Sequence, residues 1–307
     1  MALLGKMAVL FIYMMLGYFC YKKGYLDAKA SKTISFVVLN LASPALVISG
    51  TVNRSGDIEG GLLPTVLATI GLYIGLIIVS IFMPYLIGAP AKNRGIYRLM
   101  TIFSNIGFMG FPVVQAMFGD DALLHVAIFQ IPYNLLIYSY GIYELTKGQP
   151  DENGEKTSFQ WKKLINVGMI ASIVTIILYA ARVETPAFFN ETCAGLGALT
   201  APLSMIVIGT ALAKIPLKSL FTDVRLIFFT ALKLVVIPIL GMGIARLLLK
   251  DQMLLGVVMV MIATPVGSMT AMLAEQYGGD TELTSRGVAL STLLSVLTIP
   301  LVGMITL

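Results

Sequence analysis

The sequence predicts an all-α membrane protein: ten transmembrane helices as two inverted five-helix repeats, with broken, crossing helices 4 and 9. Three observations predict it. Of 307 residues, 57% are hydrophobic and only 12% charged, with a mean hydropathy of +0.89, far more apolar than a water-soluble domain needs. The apolar residues gather into ten runs of about 20 residues, the length a helix needs to cross a bilayer. Landmarks of the first half also return in the second at a nearly constant offset.

The runs fall at 3–22, 31–50, 62–87, 95–117, 122–146, 163–182, 192–213, 224–248, 253–276 and 284–306, each bounded by charged or Gly/Pro-rich punctuation. Run one ends in YKKGYLDAKASK, has almost no positive charge before it and lacks a small-residue cleavage site, so it reads as a retained helix. Runs two (LNLASPALVIS) and seven (LGALTAPLSMIV) carry Pro44 and Pro202, read as packing kinks. Cys20 and Cys193 fall near opposite membrane faces and are not expected to form a disulfide. The longest connector, KGQPDENGEKTSFQWKK from 147 to 163, is polar and has no apolar periodicity. The chain therefore divides into a first repeat (1–146), a cytoplasmic linker (147–162) and a second, inverted repeat (163–307).

Orientation follows from the basic residues. Fifteen Lys and Arg lie in odd-numbered connectors and four in even-numbered ones, which places the odd connectors in the cytoplasm and both termini outside. Orientation accounts for the net charge of +5, and nucleic acid is discarded as a partner.

The repeat rests on three landmarks. Tyr179 follows Tyr21 by 158 positions, Pro202 follows Pro44 by the same distance, and YGGDTEL from Tyr277 matches FGDDAL from Phe118 at 159. Runs one to five thus map onto runs six to ten. Because five is odd, the second half enters the membrane from the opposite side, as in many secondary transporters.

Run four reads FSNIGFMGFPVV at its centre, with Asn105, Gly107, Gly110 and Pro112; its repeat mate, run nine, reads IATPVGSMT, with Thr264, Pro265, Gly267 and Ser268. Proline removes a backbone donor and clashes with the preceding turn, while glycine tolerates non-helical dihedrals. Both runs are expected to break near mid-membrane, where unpaired backbone persists only if it is buried in protein or lines a wet cavity. The second half-helices, expected to start near Pro112 and Pro265, then present N–H groups and about half a positive charge to an anion. The opposing C-terminal ends offer carbonyls for a cation or water.

SNIGFMGFP followed by FGDDAL, ATPVGSM followed by AEQYGGD, and ten spans around a central cytoplasmic linker resemble the auxin efflux carrier family, in its compact bacterial form, over essentially the whole chain. The resemblance implies a fold similar to that of plant auxin exporters and bile acid symporters. Helices 1, 2, 6 and 7 would form a scaffold, often a homodimer, and helices 3–5 and 8–10 a transport domain moving elevator-fashion. It also implies a small organic anion, auxin-like or a carboxylate such as malate, as the transported partner. The long central loop of plant members is absent, so their phosphoregulation does not carry over.

Asn105 matches the family's span-four asparagine, so either its amide donates to a carboxylate or it caps the broken half-helix. Asn134, twelve residues into run five, lies roughly 18 Å deep and resembles a pocket asparagine of the family. An interhelical hydrogen bond is its other reading. Gln130 and Tyr138 stand four residues before and after it and share its face. Lys233 is the only lysine well inside a span; it either snorkels to the cytoplasmic face or balances the charge of a bound anion. His125 is expected at the outer interface, and Glu144 and Glu275 near cytoplasmic ends. Neither glutamate then holds a midplane cation, although Thr264, Ser268 or backbone carbonyls can. The 17 methionines read as adaptable filler.

Other function classes find little support. Asp280 in YGGD has no partner aspartate for a membrane protease, and the single histidine, without HExxH or GxxxxGKS, argues against a zinc enzyme or an ATP-driven pump. The chain is read as no enzyme, with no cofactor and no metal. The expectation is a secondary transporter of the bacterial inner membrane; an anion-selective channel or an ion-coupled symporter, using sodium or protons, is the alternative.

Overall fold

The computed structural model describes residues 2–52, 62–147 and 167–307. Most of the linker expected over 147–162 lies outside them. Among the described residues the chain is helical throughout, with no strand, and six helices are long and apolar enough to cross a membrane. They are Ala28–Gly50, Leu63–Leu86, Asp120–Thr146, Ala187–Ala213, Val224–Leu248 and Thr281–Thr306, at the places of runs two, three, five, seven, eight and ten. At the other four places stand the shorter apolar helices Ala8–Lys22, Ile106–Phe118, Val167–Ala180 and Gln252–Ala263.

In chain order the helices are α1 (Ala2–Lys22), α2 (Ala28–Val37), α3 (Ser43–Val52), α4 (Leu63–Leu86), α5 (Arg94–Ile102), α6 (Phe111–Phe118), α7 (Leu123–Leu136) and α8 (Ile142–Thr146). Then come α9 (Val167–Ala180), α10 (Ala187–Gly197), α11 (Thr200–Ala213), α12 (Val224–Ala231), α13 (Ile237–Leu248), α14 (Gln252–Ala263), α15 (Ser268–Gln276) and α16 (Thr281–Thr306). Aspartates set several starts. The carboxylates of Asp27, Asp223, Asp251 and Asp280 accept backbone N–H groups of the first turns of α2, α12, α14 and α16. The second membrane helix therefore begins at Ala28, three residues before the apolar run that predicted it.

Four single turns widen to π-helix: Val38–Ala42, Ile106–Gly110, Ile137–Gly141 and Leu232–Val236. Three of them directly precede a proline: Pro44, Pro112 and Pro238. A proline ring clashes with the carbonyl four residues earlier and offers it no N–H, and a widened turn removes both problems without ending the helix. Pro202 acts differently, in the first turn of α11, after a gap in the helix at residues 198–199.

The helices pack in two groups that also touch each other, α7 lying on both α9 and α3. α1 lies along α11, and α3 lies against α9 and α10. In the other group α4 packs on α5, α13 on α14, and α15 and α14 on α16. The α1–α11 seam is closed by glycines. A Cβ at Gly209 would strike the carbonyl oxygen of Met14, and one at Gly17 the backbone of Ile206. In the second group the guanidinium of Arg98 donates to Glu144 at 3.0 Å, joining α5 to α8. Both lie inside helices, so Arg98 is a structural partner rather than a free connector charge. Cys20 and Cys193 are free thiols. Left-handed backbone recurs at the offsets seen in the sequence, at Gly24 (φ 79°) and Arg182 (φ 49°), and at Gly119 (φ 82°) and Gly278 (φ 74°).

Gly209→Ala is expected to destabilise the purified protein by about 2 kcal/mol, because the methyl meets backbone that cannot rotate away. Gly75→Ala, with nothing within 4 Å of the added carbon, serves as the unaffected control. Thermal unfolding in detergent checks both; equal melting temperatures for the two variants would contradict this account of the seam.

Candidate functional site

Between α5 and the helical stretch from Ile106 the chain leaves helical geometry at residues 103–105, and between α14 and α15 it does so at 264–267. The two interruptions meet. Ser104 and Val266 pair as an isolated antiparallel bridge. Asn105 N donates to Pro265 O at 2.8 Å, and Gly267 N donates to Phe103 O at 2.8 Å. A further donor, Val266 N, reaches Ser291 Oγ of α16 at 3.1 Å. Gly267 is required by proximity, since a Cβ there would lie 3.0 Å from Ser104 O and 3.1 Å from Phe103 O.

The half-helices do not start at the prolines. Thr264, preceding Pro265, sits in extended geometry (φ −62°, ψ 146°), so Pro265 ends the first half and the second begins at Ser268 behind Gly267. In the other strand of the crossover, the second half begins at Ile106 behind Asn105. Pro112 lies well inside it, in the first turn of α6, its missing N–H absorbed by the widened turn.

Beside the crossover lies a cavity of about 200 Å³. Asn105, Gly107, Phe108 and Phe111 line it from one broken helix, and Ser268, Met269 and Met272 from the other. Gln130, Tyr133, Asn134 and Tyr138 contribute from α7 and its widened turn. The facing wall belongs to the first packing group: Leu39, Asn40, Ser43, Pro44 and Val47, with Val167 and Gly168 of α9. The cavity therefore lies between the two groups of helices. Residues at both helix starts line it, Asn105 and Gly107 at one and Ser268 at the other.

Asn105 is 3% exposed, and its two side-chain ends behave differently. Oδ1 accepts the Phe108 N–H at 3.3 Å, which makes it a helix cap. Nδ2 is buried and has no hydrogen-bond partner among the described residues. Gln130 Oε1 and Ser43 Oγ are also buried without one, and all three residues line the cavity. A buried polar atom without a partner costs about 1–3 kcal/mol, so three around one cavity mark a surface shaped for a ligand or for water.

Of the residues predicted for the site, Asn105, Gly107, Gln130, Asn134, Tyr138 and Ser268 line the cavity. Gly110, Pro112, Thr264, Pro265 and Gly267 do not: Thr264, Pro265 and Gly267 belong to the crossover, and Gly110 and Pro112 lie in the helical stretch after it. Thr264 Oγ1 donates to Met261 O, and a Cβ at Gly110 would press on Met261 Cε at 3.2 Å. Lys233 does not snorkel. It is fully buried, and its Nζ donates to Thr101 O at 3.0 Å and Ser104 Oγ at 2.8 Å, at the crossover and off the cavity. His125 is 1% exposed, with Nδ1 2.7 Å from Thr65 Oγ1. Glu275 is exposed and Glu144 is tied to Arg98, and neither lines the cavity. Among the described residues no group of His, Cys, Asp and Glu is arranged to hold a metal.

Sequence reasoning missed Asn40 and Ser43. The signal was present in LNLASPAL: a widened turn is expected before Pro44, and such turns, rare elsewhere, often mark functional sites. Every one of the four π turns carries or adjoins a polar residue of this region, namely Asn40, Asn105, Tyr138 and Lys233.

The membrane transport protein family matches residues 2–302. The chain is 27% identical to the uncharacterized transporter MJ1031 of Methanocaldococcus jannaschii, over 97% of both chains. It is 25% identical to an uncharacterized transporter of Methanothermobacter thermautotrophicus over 94% of both, and 23% identical to the uncharacterized transporter YfdV of Escherichia coli over 97% of this chain and 96% of the relative. A match running nearly end to end, on a fold of long apolar helices, places this chain in the membrane transport protein family, that of the auxin efflux carriers, as a multi-pass membrane transporter.

Proposed function

We propose that the chain is a secondary carrier for a small organic anion, bound in the cavity beside the crossover of residues 103–105 and 264–267. The observation that carries this reading is the unpartnered Nδ2 of Asn105 in a cavity bordered by two helix starts. Helix starts and an amide donor favour a carboxylate without placing a full charge in the membrane. Gln130 Oε1, an acceptor without a protein donor, favours a carboxylate that also bears a hydroxyl or N–H. Malate-like and auxin-like acids both meet that description. The apolar wall of Phe108, Phe111, Met269 and Met272 strengthens such polar contacts by excluding water.

The proposed architecture is ten spans in two inverted repeats, the first over 1–146 and the second over 163–307, with helices 4 and 9 broken at the crossover. The paired left-handed residues Gly24 and Arg182, and Gly119 and Gly278, support it, as does the meeting of two equivalent interruptions. The glycine-sealed seam of α1 and α11, with α3, α9 and α10, would be the scaffold, made of spans 1, 2, 6 and 7 and able to form a homodimer. Spans 3–5 and 8–10 would move against it, elevator-fashion. A cavity lined from both groups suits that motion, because sliding one group carries half the site with it. In this reading the protein lies in the bacterial inner membrane with both termini outside.

Asn105→Asp separates ligand contact from capping. Aspartate caps a helix start as well as asparagine does, so the melting temperature is expected to stay within about 2 °C of the parent. Its carboxylate repels an anion, and uptake of radiolabelled carboxylates into proteoliposomes is expected to fall at least about tenfold, equivalent to about 1.4 kcal/mol. Full uptake by a well-folded Asp variant would remove Asn105 from the site.

A carrier also exchanges. Proteoliposomes preloaded with the transported carboxylate are expected to take up labelled solute in a saturable counterflow. Unitary conductance in planar bilayers, without counterflow, would favour the channel instead.

A further inference from the structure

Lys233 is a fully buried side chain of span eight, and among the described residues no carboxylate pairs with it. Its ligands are oxygens alone. One is the Thr101 carbonyl in the last turn of α5, where the chain runs out of N–H partners and the helix carries about half a negative charge. The other is the hydroxyl of Ser104, the residue that forms the bridge to Val266. Carbonyls at half-helix C-terminal ends, with unwound backbone between them, are the groups with which secondary transporters hold a co-transported alkali cation. Here an ammonium on a four-carbon tether already stands among them.

We infer that Lys233 is a built-in cation that takes the place of a co-transported sodium ion at the crossover, so that the carrier needs no sodium. The inference rests on the proposed carrier function and narrows it. The Lys233 side-chain nitrogen lies behind the crossover at the C-terminal end of α5, while Asn105, Gly107 and Ser268 line the cavity in front. A sodium ion at this place would bind and leave with each cycle; the ammonium stays, and it ties span eight to the interruption in span four. Thr264 and Ser268, expected from the sequence as possible cation ligands, are not required for this role. Thr264 is committed to Met261 O, and Ser268 borders the cavity.

Cation-dependent stability of the purified full chain tests this without any organic anion. In sodium chloride and in choline chloride of equal ionic strength, the parent is expected to melt at the same temperature and to show no saturable binding of radioactive sodium. Lys233→Ala is expected to melt roughly 5 °C lower in choline chloride and to recover at least half of that loss in sodium chloride or propylammonium chloride. Saturable sodium binding by the parent, with a rise in its melting temperature, would overturn the inference. So would an alanine variant that melts like the parent, or one whose loss no small cation restores. If the alanine variant does not fold, the sodium measurements on the parent still decide. Because neither readout involves a carboxylate, either failure leaves the anion reading to its own counterflow test.

Discussion

The structure depends on one short contact, the two backbone hydrogen bonds that join residues 103–105 to 265–267. A helix that opens inside an apolar protein exposes carbonyls and N–H groups, and in hydrocarbon each unsatisfied group costs several kcal/mol. One broken helix alone would leave those groups without partners. The two interruptions supply each other, Asn105 N to Pro265 O and Gly267 N to Phe103 O, and the cap of Asn105, the hydroxyl of Ser291 and the amine of Lys233 add further partners. While Nδ2 of Asn105, beside the cavity, is left without a partner among the described residues, the interruption thus supplies several of its own hydrogen-bond partners. This is why it tolerates glycine and proline at positions where either alone would weaken a membrane helix.

The prolines work at one remove from the site. Pro44, Pro112 and Pro238 each follow a widened turn, and the turns, rather than the prolines, bring Asn40, Gly107 and Lys233 to the neighbourhood of the crossover. A π turn adds one residue to the helix and rotates the side chains after it relative to those before. Polar groups can thereby face inward from helices whose other faces remain apolar. The price is a locally weaker helix, which the surrounding packing of fully buried residues such as Phe103, Leu99 and Met100 holds in place.

Much of this was legible in the residues. Run lengths located the long helices, because about 20 apolar residues have few other uses in a chain this hydrophobic. The polar residues of spans four and five were legible as well: Asn105, Gln130, Asn134 and Tyr138 are costly to bury without purpose, and all four line the cavity. What could not be read was the division of labour within each motif. Glycine and proline mark irregular backbone but do not say whether they touch a ligand or the opposing chain: Pro265 and Gly267 belong to the crossover, while Gly110 and Pro112 lie in the helical stretch after it. Helix starts were misplaced for the same reason. A proline can begin a half-helix or end one, and at Pro265 the extended geometry forced on Thr264 decides for the ending. Lys233 was ambiguous because a long side chain can reach either the interface or the interior; only the position of Thr101 O and Ser104 Oγ selects the interior.

The closure of the crossover also constrains how a carrier of the proposed kind can work. Opening a path by unzipping residues 103–105 from 265–267 would strand two buried N–H groups and two carbonyls, at about 1–3 kcal/mol for each group left unpaired. Moving the unit whole breaks none of these bonds. In the proposed carrier the surface that would slide is the one between the two packing groups, where the cavity lies and where Leu39, Val47 and Met272 add apolar lining. The seam sealed by Gly17 and Gly209, locked backbone to backbone, is by the same reasoning a poor place for motion and a good one for a fixed frame.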